Sequence, residues 1–241
     1  MDIVFHRKKD EEDTSLPAKI FFISKHWGRE FPFGISPTPH SISNPMIRCS
    51  ALFCKLFQIK KSSDTLYLDF LGKYNLSKEA CPFCHTSGTL APFASYERTV
   101  VDIVDETTVY NRITVQRMIC SSCGHTHAVL PDFLIPYGQY SLPFILRVLW
   151  AYFTSSKTVS ELCEQVQITP SMLYRWKALF LKHYSLWLSV LQQLETSAQQ
   201  FICNLVESPC PSEFLHAFFR KTAFSFLQSH QNPANCRRPP P

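Results

Sequence analysis

The chain has 241 residues, 45% apolar and 18% charged, with a formal net charge of +5. Those fractions support a packed core and argue against global disorder, while the mild basic excess permits a nucleic-acid partner without requiring one. Glycine is scarce at 6 residues against 17 prolines, and neither GxGxxG nor GxxxxGK[ST] occurs, which argues against a Rossmann or P-loop enzyme.

The first 65 residues read as an N-terminal arm or linker. Arg7, Lys8 and Lys9 precede an acidic run at 10–13, and Pro32, Pro37, Pro39 and Pro45 forbid regular helix. Charge at the N-terminus, where a signal peptide carries its apolar region, predicts a cytoplasmic protein. The most apolar stretch, 142–153, is too short to cross a bilayer and contains Arg147, so no membrane partner is expected. Met46 is an alternative start. Residues 66–76, with Leu66, Leu68 and Phe70 alternating, read as a strand.

Residues 66–130 read as one module. Ten cysteines in a reducing compartment point to metal or redox chemistry rather than a disulfide frame. Cys81-Pro82-Phe83-Cys84 and Cys120-Ser121-Ser122-Cys123 are two CxxC knuckles, each placing two thiolates on one side of a tight turn. Four such sulfurs surround one zinc ion and leave no position for water, so the expected Zn²⁺ is structural and not catalytic. Redox use of either CxxC lacks its βαβ context. Gly124 after the second knuckle suits a permissive backbone, whereas His85 stands in that place after the first. His85, His125 and His127 read as surface groups or neighbours of the ligands, with thiolate replacement as the alternative. Between the knuckles, 96–104 and 109–119 read as strands of an antiparallel hairpin, broken by a polar turn at 105–108. Ile113, Val115, Arg117 and Ile119 occupy one face, and Arg112, Thr114, Gln116 and Met118 the other. The ribbon is nearly neutral, which suits a scaffold or a protein interface better than the main grip on DNA.

After the connector at 131–141 the period changes from two to about 3.6. Ser141 is placed to cap a helix over 142–153. Thr158 caps a second over 159–166, with Glu161 at the capping-box position. Thr169 caps a third that begins at Pro170 and runs to 194. The segment 158–177 has helix-turn-helix grammar: Val159, Leu162, Cys163 and Val166 are expected inside, Ile168 plugs the turn, and Leu173, Trp176 and Phe180 line the buried face of the next helix. Ser171, Met172, Tyr174, Arg175 and Lys177 form the other face and are the candidate DNA contacts. A single Phe-rich helix over 212–228 is expected to pack on this unit or to dock a partner. The tail at 231–241 reads as disordered.

Cys81-Pro82-Phe83-Cys84, the stretch Cys120-Ser-Ser-Cys-Gly-His-Thr-His-Ala-Val-Leu-Pro131, and Pro136-Tyr-Gly-Gln-Tyr-Ser141 together resemble an uncharacterised bacterial zinc-ribbon family over about residues 66–190. Its members are similar to the N-terminal, DNA-binding portion of insertion-sequence transposases. The resemblance implies a zinc ribbon followed by a transposase-like helix-turn-helix. It supplies no known activity.

The expected fold class is therefore α+β: a zinc-ribbon β-hairpin module (66–130), an all-α helix-turn-helix region (131–195) and a C-terminal helix (196–230). The chain lacks G-x-S-x-G and H-E-x-x-H, and beyond Val190 only Glu195, Glu207 and Glu213 remain as acids, too few for a two-metal nuclease. The expectation is a non-catalytic protein that binds double-stranded DNA. The alternative is an adaptor that docks a transposase, another partner or a second copy through the ribbon and the Phe-rich helix. RNA binding lacks an aromatic RNP-type strand.

Overall fold

The computed structural model describes residues 46–75, 78–191 and 197–229. The arm before Met46 and the tail at 231–241 lie outside the described residues. The chain is mixed α+β. Strand β1 (Met46–Cys49) leads through a 3-10 turn at Leu56–Gln58 to helix α1 (Ser63–Lys73). Strands β2 (Leu90–Val104), β3 (Thr107–Cys120) and β4 (Thr126–Pro131) follow, then helices α2 (Leu142–Thr154), α3 (Val159–Gln165), α4 (Pro170–Leu191), α5 (Ala198–Glu207) and α6 (Pro211–Thr222).

The sheet has the order β1-β4-β3-β2. β1 runs parallel to β4, and the other pairs are antiparallel. The hairpin of β2 and β3 is longer than its apolar cores suggest. Its turn is only Asp105-Glu106, both left-handed at φ 46° and 65°. That geometry turns a two-residue hairpin with the right twist, and these two residues accept it without the usual Asn-Gly signal. The ladder shifts register between Pro92 and Ala94, a bulge on the outer strand.

Residues 66–76 are not a strand. Residues 66–73 belong to α1, because Tyr67, Phe70 and, just past its end, Tyr74 recur at helical spacing and pack on the sheet, while Leu68 is 68% exposed. Asp102 fixes the start of this helix, accepting from the Ser63 amide at 2.8 Å and its hydroxyl at 2.6 Å. Residues 46–65 are not all linker either. Ile47 and Cys49 join Val129 and Met118 in a buried cluster on the α1 side of the sheet. Met118 is thus fully buried, on the face opposite Ile113 and Val115, because α1 covers one side and the segment after β4 covers the other.

α2 is buried along most of its length because α3, α4, α5, β2 and the 3-10 turn all pack on it. Its Arg147, the one charge in that apolar stretch, donates to the carbonyls of Leu56 at 2.7 Å and Ile59 at 2.8 Å. Ser141 caps α2 by accepting from the Phe144 amide. The expected single C-terminal helix is two. Ser197 caps α5, Pro209 and Pro211 enforce a break, and α6 ends at Ala223, which is left-handed at φ 59°. Phe214, Phe218 and Phe226 are buried against Trp187 and His183 of α4. These three phenylalanines are core, whereas Phe219 and Phe224 are half-buried.

Candidate metal centre

The two knuckles are built alike. The amide of His85 donates to the Cys81 carbonyl at 2.9 Å, and that of Gly124 to the Cys120 carbonyl at 2.8 Å. Both residues sit in the left-handed region, at φ 61° and 72°. His85 therefore does the backbone work of the missing glycine. The cross-strand bond from the Ser121 amide to the Thr89 carbonyl, at 2.8 Å, fastens the second knuckle to the start of β2.

The Sγ atoms of Cys81, Cys84, Cys120 and Cys123 all lie within 4.8 Å of one another. Cys81 and Cys123 are 3.7 Å apart, and Cys84 and Cys120 3.6 Å. A tetrahedron with metal–sulfur arms of ~2.3 Å has edges of about 3.8 Å. The residues thus fit a four-coordinate metal ion. Chemistry agrees with geometry, since four thiolates this close repel one another unless a cation lies among them. The hydroxyl of Thr89, 3.2 Å from Cys120 Sγ, draws that thiol down to about 6. Thr86 likewise lowers Cys84. Cys81 and Cys120 are buried and Cys84 and Cys123 half-buried, so the centre is closed from below and open to solvent along one edge.

The three histidines differ. His125 stacks on Phe83 of the opposite knuckle, with ring centres 3.7 Å apart. His127 is buried at 2% exposure, with Nε2 3.3 Å from Cys81 Sγ. It supports a ligand from the side and leaves Nδ1 without a partner among the described residues. Its short distance to Cys81 was not readable from spacing, because the pairing of β4 with β3 brings it there.

The helical candidates separate into two groups. Thr158 and Glu161 form the full capping box, and Thr169 Oγ1 accepts from the Met172 amide at 3.3 Å. Gln167, left-handed at φ 55°, turns the chain between α3 and α4, and Ile168 is buried in that turn. Leu173, Trp176 and Phe180 are buried as expected, and Val159 is half-buried. Ser171, Tyr174 and Arg175 are exposed. Met172 is half-buried, 3.8 Å from the Tyr140 hydroxyl. Lys177 is engaged: its ammonium donates to Tyr152 Oη at 2.6 Å and lies over that ring. The hairpin tip touches this unit, with Thr108 Oγ1 donating to the Val166 carbonyl at 3.1 Å.

Among the described residues no helix is long and apolar enough to cross a membrane. Residues 81–176 match the model of a family described as "Domain of unknown function (DUF6431)", so the similarity begins at the first of the four cysteines and ends inside α4. No curated protein and no solved structure matches the chain.

Proposed function

We propose that this chain is a non-catalytic DNA-binding protein stiffened by one structural zinc ion and associated with mobile elements. Four thiolates, with no water position left, favour a redox-inert tetrahedral ion that folds the ribbon. The observation that carries the DNA reading is the capped α3–turn–α4 unit with Ser171, Tyr174 and Arg175 exposed at the first turns of α4. Arg175 supplies the charge and Tyr174 the contact area. Met172 and Lys177 act less directly, through Tyr140 and Tyr152. The mobile-element association comes from the resemblance to transposase N-terminal portions.

Metal analysis of purified protein should return one zinc per chain. A gel-shift selection on random duplexes should enrich a sequence, with affinity falling as salt rises. Arg175→Ala combined with Lys177→Ala should abolish the enrichment. Absence of binding at low salt, or binding indifferent to both substitutions, defeats the reading. One feature favours the adaptor alternative. Residues 91–97 of β2 are all exposed on the outer edge of the sheet, and Phe93 is 59% exposed. A stable protein complex in pull-downs, with DNA affinity that ignores sequence, would select that alternative.

A further inference from the structure

The face of the sheet turned away from α1 carries three arginines from three different strands. Met46, Ala128, Arg117 and Ala94 stand in one cross-strand row. Arg48 lies two residues along β1 on that face, and Arg98 four residues along β2. Together with residues 136–139, this face borders an open cleft of about 560 Å³. Arg98 and Arg117 line it beside Tyr96, Thr99, Tyr137 and Gln139, and no carboxylate is among its lining residues.

The arginines are poorly compensated. Among the described residues Arg98 donates only to the carbonyls of Ile135 and Gly138. Arg117 donates to Thr126 Oγ1 at 2.5 Å, and its Nε is shut off from solvent with no acceptor among the described residues. Arg48 donates to the Leu134 carbonyl at 2.8 Å, with Asp132 near enough to favour its charge. Burial pushes Arg48 down to about 10 and also lowers Arg98. Arg98 and Arg117, the two that line the cleft, are held by neutral acceptors and focus positive potential on the space between them. An oxyanion is the ligand that answers it, and guanidinium groups bind phosphate in a paired geometry.

The mouth adds a second requirement. Tyr96 and Tyr137 stand there, 39% and 53% exposed. Tyr137 is held left-handed at φ 59°, a strained state for a bulky aromatic, and Arg98 bonds the carbonyls of Ile135 and Gly138 around it. The two rings give the cleft mouth an aromatic rim. The volume lies within the range of small-molecule sites.

We propose that this cleft binds a nucleoside monophosphate, with its phosphate on Arg98 and Arg117 and its base against Tyr96 and Tyr137. The proposal uses neither the metal centre nor α4, so it stands apart from the DNA reading.

The test is calorimetric titration of the full chain with AMP, UMP, inorganic phosphate and adenosine. Saturable one-site binding of the nucleotides is expected, with phosphate alone and adenosine alone each at least about tenfold weaker, as two half-sites require. Arg117→Gln should weaken AMP binding about tenfold or more, the loss of a charge-assisted contact. Tyr96→Ala should weaken AMP while leaving phosphate affinity as it was. Both side chains are partly exposed, so circular dichroism and thermal melting should show an intact fold in each variant. No saturable nucleotide binding, equal affinity for AMP and phosphate, or an Arg117→Gln protein that binds AMP like the parent overturns the proposal.

Discussion

Replacing Tyr67 with phenylalanine removes one oxygen atom from the interior, and the sheet register sets its cost. β3 pairs with β4 at Arg117↔Ala128, Met118↔His127 and Ile119↔Thr126. One step further, Gln116 would face Val129, but there the strands part. The Tyr67 hydroxyl fills the gap, accepting from the Gln116 amide at 2.9 Å and donating to the Val129 carbonyl at 3.1 Å. The side chain is 1% exposed, so water does not replace it readily. Phenylalanine keeps the shape and strands one backbone donor and one acceptor. At about 1–3 kcal/mol for each unsatisfied buried group, the expected loss is about 3 kcal/mol. In a chain of this size that is a fall of roughly 10 °C in the thermal midpoint. Urea titration of parent and variant measures it, with the midpoint falling and the slope unchanged. A loss below about 0.5 kcal/mol, the level of an ordinary surface substitution, would show that the strands close up without the hydroxyl and would refute the argument.

Three further outcomes follow from other parts of the structure. His183 accepts from the Leu227 amide at 3.0 Å, and burial together with nearby Lys182 lowers its pKa from 6.5 to about 4. The unfolded chain therefore takes up this proton first, so the contribution is complete above about pH 6.5 and is lost as pH falls towards 4; urea titrations across that window should show a shallower decline for His183→Asn, which keeps an acceptor without the titration. Gly124→Ala meets no atom within 4 Å of the new Cβ, so its cost is the left-handed backbone alone, about 1 kcal/mol by thermal or chemical unfolding of the metal-loaded protein. Chelation, or Cys84→Ser, should raise amide exchange at Cys81, His85, Cys120 and Gly124, whose bonds shape the knuckles, and leave the amides of α2 protected.

What the sequence disclosed was whatever is encoded locally. The CxxC pairs declare themselves because each knuckle is a four-residue event, and the caps Ser141, Thr158 and Thr169 because a helix start is set by its own first turn. Two failures had long-range causes. In 66–76 the apolar residues satisfy both periods, and only the sheet under Tyr67 and Phe70 decides for helix. β1, four residues long, is defined by its partner β4, some eighty residues on, and by nothing in its own composition. The hairpin turn was legible at 105–108; only its tight two-residue form at Asp105-Glu106, with no glycine to mark it, was not. The candidate centre divides the same way. Its four cysteines were legible, whereas the placement of His127 against Cys81 needs β4 in register with β3, and the engagement of Lys177 needs Tyr152 from another helix. Arg48, Arg98 and Arg117 are scattered along the chain and become neighbours only in the sheet.

The bond from Thr108 to the Val166 carbonyl has a mechanical meaning. Cys120 ends the strand whose second residue is Thr108, so roughly 40 Å of extended chain runs from the thiol cluster to the bend between α3 and α4. The hairpin is a beam pinned at both ends. A disturbance at the cysteines is therefore expected to reach the helices as a change in tilt, since the far end stays tied through Thr108.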